Sequence, residues 1–67
     1  MNNEEIIKLL SYLIGTRYVP SVKAYISEIT GRTRVVGVNE ASTKELDQNR
    51  IHLIGDANDC IVSFTFG

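Results

Sequence analysis

The stretch Thr33-Arg34-Val35-Val36-Gly37-Val38, then Asn39-Glu40-Ala41-Ser42-Thr43-Lys44-Glu45-Leu46-Asp47-Gln48-Asn49, then Arg50-Ile51-His52-Leu53-Ile54-Gly55, decides the fold. Its outer segments are rich in β-branched residues and read as strands. Ile51 and Leu53 alternate onto one face of the second. The middle segment is polar and carries no strand period, so it reads as a long exposed loop over residues 39–49. Loops of that length in compact domains are usually functional or mobile. A competing reading is a short helix beginning at Ser42, because Ser42-Thr43-Lys44-Glu45 has the form of a capping box. The connection is long enough for the two strands to run parallel.

Downstream, Asp56-Ala57-Asn58-Asp59 reads as a turn. Cys60 to Phe66 follows as a last strand, with Cys60, Val62, Phe64 and Phe66 alternating onto one face. These two strands form a hairpin. Upstream, a helix is expected from about Val19 to Thr30. Pro20 suits its first turn, Val22, Tyr25, Ile26 and Ile29 share a face, and Gly31 stops it. A further N-terminal helix spans Asn3 to Ile14. Asn2 or Asn3 caps it, Glu4 and Glu5 favour its first turn, and Gly15 ends it. Ile6, Leu10 and Leu13 follow its apolar spacing, widened by Ile7 and Ile14. That face is read as core-facing; a homodimer contact or an interface-binding helix is the other reading. The expected fold class is α+β: one main helix on a small mixed sheet, a long exposed loop and an N-terminal helix. With 67 residues the chain forms one domain.

Bulk composition removes several functions. The formal net charge is −1 with no basic stripe, whereas phosphate binding needs clustered Lys and Arg, so no nucleic-acid partner is expected. No apolar run reaches membrane-spanning length. Cys60 is the only cysteine, so it reads as a half-buried strand residue, and neither an internal disulfide nor a cysteine zinc site can form. The acidic start, Met1-Asn2-Asn3-Glu4-Glu5, is unlike a secretory signal. The expectation is a cytoplasmic chain or a trimmed mature secreted form.

An enzymatic reading fails on the residues present. His52 is the only histidine and lies in a strand, while a nucleophile–base–carboxylate set needs three converging groups. No phosphate-binding glycine motif appears. Asp56, Asn58 and Asp59 lack the rest of a calcium loop. Neither a cofactor nor a metal is expected. What remains is a small domain presenting one loop, the arrangement a substrate-like protease inhibitor needs. Such a loop has its ordering cost met in advance by the scaffold, which makes binding tight.

The residues here carry a resemblance. Leu13-Ile14-Gly15, the helix after it, Val35-Val36-Gly37-Val38 and above all Thr43-Lys44-Glu45-Leu46-Asp47-Gln48-Asn49-Arg50-Ile51-His52-Leu53 resemble the potato inhibitor I family. They also resemble a related family of bacterial and fungal serine-protease inhibitors. The resemblance covers about Leu13 to Gly67. It implies a protease-binding loop of Ser42, Thr43, Lys44, Glu45, Leu46 and Asp47, with Lys44–Glu45 as the reactive bond. It further implies Lys44 as the primary-specificity residue, a trypsin-like serine protease as partner, and Arg50 and His52 as loop braces. Gly37 stands where potato-type members often carry proline, and His52 replaces a second arginine. The cysteines of the second family are missing, and the N-terminal helix is longer than usual. The alternative from another class is a non-inhibitory interaction or dimerisation module on the same fold.

Overall fold

The computed structural model describes residues 2–41, 43 and 46–67. Helix α1 spans Asn3–Leu10 and a 3₁₀ turn follows over Ser11–Leu13. Helix α2 spans Ser21–Thr30, and the strands are β1 (Val35–Val36), β2 (Ile51–Gly55) and β3 (Ile61–Phe66). The sheet order is β1-β2-β3, with β1 parallel to β2 and β2 antiparallel to β3. The protein is therefore an α+β domain with a small mixed sheet.

Asn2 starts α1 through a reciprocal cap. Its side-chain oxygen accepts from the Glu5 N–H, and the Glu5 carboxylate accepts from the Asn2 N–H. The α-helix is shorter than the apolar spacing predicts, because the chain tightens into a 3₁₀ turn at Ser11. Ile6 and Leu10 are fully buried, while Ile7 and Ile14 stay more than two-fifths exposed, so the core-facing stripe is narrower than expected. Pro20 sits at the N-cap of α2 and leaves Val19 outside the helix. Gly31 closes α2 in the left-handed conformation (φ 72°) that glycine adopts without steric cost.

Residues 15–18 run beside the start of β3. The Gly15 N–H donates to the Ile61 carbonyl, the Ile61 N–H to Thr16, and the Tyr18 N–H to Asp59. Helices and sheet close over one core of Ile6, Leu10, Ile26, Val38, Ile51, Leu53, Ile61 and Phe64. Fully burying one such side chain contributes about 1.5–3 kcal/mol. Val38 packs directly over the backbone of Gly55, where an added Cβ would lie 2.3 Å from its Cγ1.

Two expectations for the strands are corrected. The strand expected over Thr33–Val38 pairs only at Val35 and Val36, because the chain turns away at Val38 and Asn39. In β3 the inward face is not Cys60, Val62, Phe64 and Phe66 throughout. Ile54 pairs with Ser63, but Gly55 pairs with Ile61. This bulge gives β3 one extra residue opposite β2 and switches its inward parity. Ile61 is buried as a result, and Val62 is 45% exposed.

Ile51→Ala should lower the unfolding free energy by about 2–5 kcal/mol, a large share of what a domain of this size holds. Leu46→Ala, at a position 99% exposed, should change it by less than about 0.5 kcal/mol. Urea unfolding followed by circular dichroism checks both.

Candidate functional site

The connection from β1 to β2 carries no helix or strand among its described residues; Gln48 and Asn49 form a turn. Ser42, Lys44 and Glu45, including the expected reactive bond, lie outside the described residues. Thr43 and Leu46 are exposed, and Asp47 is half-buried.

Beneath this connection lies Arg50, only 4% exposed. Its Nη2 donates to the Thr43 carbonyl at 2.9 Å, and its Nη1 reaches the Thr43 hydroxyl at 3.4 Å. Its Nε donates to the Gly67 carbonyl at 2.7 Å, and the Gly67 N–H donates back to the Arg50 carbonyl. A buried guanidinium is tolerated only when its donors are met, and these contacts meet them from two distant parts of the chain. The structure thus brings Arg50 and Thr43 together. His52 joins from one side: its Nε2 lies 2.5 Å from the same Gly67 carbonyl. Since a carbonyl only accepts, that nitrogen carries the proton. His52 therefore braces Gly67, and among the described residues it hydrogen-bonds to no part of the loop directly.

The exit leg is held separately. The Asp47 carboxylate accepts from Arg34 Nη1 at 3.1 Å and from the Asn49 N–H at 2.9 Å. The Gln48 carbonyl accepts from Asn3 Nδ2, and Arg32 Nη2 donates to Asn3 Oδ1. The first turn of α1 is thereby tied to the loop's end.

The entrance leg carries a cluster that the sequence reading did not single out. Glu40 accepts from Lys23 Nζ at 2.8 Å on one oxygen and from the Tyr18 hydroxyl at 3.1 Å on the other. The Lys23 ammonium holds the Glu40 carboxyl below its ordinary value, against a smaller opposing effect of desolvation. Partial burial, then the bond to Glu40, push the Tyr18 phenol up. The sequence separations are 17 and 22 residues, which no local pattern reveals. Among the described residues, no group of three His, Cys, Asp or Glu is arranged to hold a metal. No described helix is long and apolar enough to cross a membrane.

No protein-family model matches the chain, and neither a curated protein nor a solved structure does.

Because the folded-state pKa of Glu40 is lowered, its contribution to stability is present above its ordinary value of 4.5. That contribution is lost as pH falls through the lower folded value. Glu40→Gln should therefore show a smaller loss of urea midpoint than the parent between about pH 6 and about pH 3. Equal losses in the two proteins would show that Glu40 carries no such linkage.

Proposed function

We propose that the chain is a substrate-like, reversible inhibitor of trypsin-like serine proteases, with Lys44 as the residue that enters the primary specificity pocket. One observation supports this reading most: the buried Arg50 guanidinium, hydrogen-bonded at once to Thr43 and to Gly67. A side chain bound to the backbone of the residue preceding Lys44 limits how far that leg of the loop can move. A loop held in this way enters a protease cleft at little further entropic cost. After cleavage, the new ends stay close, so resealing competes with release.

Residue chemistry sets the direction of specificity. A trypsin-like pocket holds a carboxylate at its base, which a Lys ammonium complements. An apolar pocket would desolvate that ammonium without a partner. In this reading Thr43 and Glu45 flank the scissile bond, Ser42, Leu46 and Asp47 extend the contact, and Arg50 with His52 braces it from below.

The alternative is an interaction module docking through its N-terminal helix. It draws on the exposure of Ile7, Leu9, Tyr12 and Ile14. A helix over residues 42–49 would have favoured it, and the described residues there, Thr43 and 46–49, are not helical.

The deciding measurement is residual trypsin activity against protein concentration, followed by mass spectrometry of the protein. The expected outcome is tight inhibition with slow cleavage after Lys44. Rapid, complete cleavage without a persistent complex would overturn the reading. Lys44→Leu should shift inhibition from trypsin to chymotrypsin, with the melting temperature nearly unchanged.

Arg50→Ala should weaken trypsin inhibition by roughly one to two decades, since a charged hydrogen bond is worth about 1.5–3 kcal/mol. Arg50→Lys keeps the charge but loses the fork, and should fall between the two. Unchanged inhibition in both variants would remove Arg50 from the mechanism.

A further inference from the structure

We infer that Lys23, Glu40 and Tyr18 form a clamp that positions the entrance leg of the 39–49 loop, and that the loop's resistance to cleavage depends on it. The inference rests on the reading of this loop as the protease-binding element, but the clamp itself is read from geometry.

Three parts of the chain meet at Glu40. Lys23 comes from α2, Tyr18 from the segment paired with the start of β3, and Glu40 from the leg itself. Lys23 Nζ lies 2.8 Å from Oε1, and the Tyr18 hydroxyl donates to Oε2 at 3.1 Å. Each carboxylate oxygen thus has its own donor, so the side chain is fixed in direction as well as in place. Tyr18 is held in turn by its backbone, whose N–H donates to the Asp59 carbonyl. The Asp59 carboxylate accepts from Asn39 Nδ2 at 2.9 Å. Asn39 has φ 63°, a left-handed conformation that asparagine adopts more readily than most residues. Neighbouring residues 39 and 40 are therefore both tied, directly or through Asp59, to the segment that carries Tyr18.

Gly37 supplies independent support. Its φ is not positive, so backbone freedom does not explain the residue. Space does: a Cβ there would lie 2.2 Å from the Tyr18 hydroxyl and 2.3 Å from Glu40 Oε2. The Tyr18–Glu40 contact passes through the volume that a side chain at position 37 would fill. The Glu40 N–H donates to the Gly37 carbonyl, closing the turn on which the clamp sits. Gly37 and Glu40 are thus matched to each other.

The clamp is partly exposed, with the Lys23 and Glu40 side chains 35% and 39% accessible. Its effect is accordingly smaller than that of Arg50, because exposed ion pairs couple weakly. It acts by restricting the leg, and its residues are positioning residues that need not touch the protease.

The test compares the parent with Glu40→Ala, Lys23→Ala, Gly37→Ala and the exchanged pair Lys23→Glu with Glu40→Lys. Three quantities are measured at neutral pH: the rate at which excess trypsin cuts after Lys44, the trypsin inhibition constant and the urea midpoint. The three single variants should be cut roughly 1.5- to fivefold faster than the parent. The exchanged pair should return most of the way to the parental rate. Gly37→Ala should behave like Glu40→Ala, because its methyl group forces Tyr18 and Glu40 apart. Equal cleavage rates in parent and single variants would overturn the clamp, whether or not the parent inhibits trypsin. So would single-variant rates that only follow the loss of urea midpoint, with no recovery in the exchanged pair. Failure of the parent to inhibit would overturn the inhibitor reading alone, since the ratio of cutting rates still reports the clamp.

Discussion

The burial of Arg50 is the constraint on which the rest depends. A guanidinium taken out of water loses strong hydration and is kept only where its donors find acceptors. Among the described residues no buried side-chain nitrogen or oxygen lacks a partner, and Arg50 meets that condition with carbonyls from Thr43 and Gly67. Those carbonyls lie 7 residues before it and 17 after it. The cost of burying the charge therefore falls on any state in which the loop or the end of β3 comes away. Removing either acceptor leaves a buried donor unpaired, which costs more than a hydrogen bond gained elsewhere returns.

This explains how a connection without regular structure among its described residues can still be positioned. Ordering one backbone residue costs roughly 1–2 kcal/mol, and this connection has no ladder of its own to offset that. It is held at points instead: Glu40 at its entrance, Thr43 from beneath, and Asp47 and Gln48 at its exit. Each point uses a side chain from a different element, namely α2, the residue preceding β2, the residues preceding β1, and α1. Between these points the described residues Ala41 and Leu46 are exposed.

What the sequence disclosed follows from which interactions are local. The alternation Arg50-Ile51-His52-Leu53 assigns Ile51 and Leu53 to the core, and the period of a strand needs no tertiary information to be read. The caps at Asn2 and Gly31 are equally local. Arg50 beneath Thr43 was legible only through the resemblance, since nothing in the spacing alone brings those residues together. The inward face of β3 was not legible, because the bulge opposite Gly55 changes parity within the strand. Nor was the truncation of β1, where Val38 must turn to pack over Gly55. Glu40 looked like one polar residue among many, and its partners became apparent only once α2 and the Tyr18 segment were folded against the loop.

The alternation along β2 also joins stability to the candidate site. Ile51 and Leu53 point into the core shared with Ile6, Leu10 and Ile26, while Arg50 and His52 converge on the Gly67 carbonyl. The core covers the face of Ile51 and Leu53, and Thr43 and Gly67 close over Arg50, while Ile54 on that second face stays 40% exposed. In a domain of 67 residues with little core to spare, neither covering is dispensable. Helix α1 supplies two fully buried residues, Ile6 and Leu10, and its first turn also holds Gln48. The N-terminal helix is thus part of the support for the loop, because the elements that exclude water from the core also fix the loop's two legs.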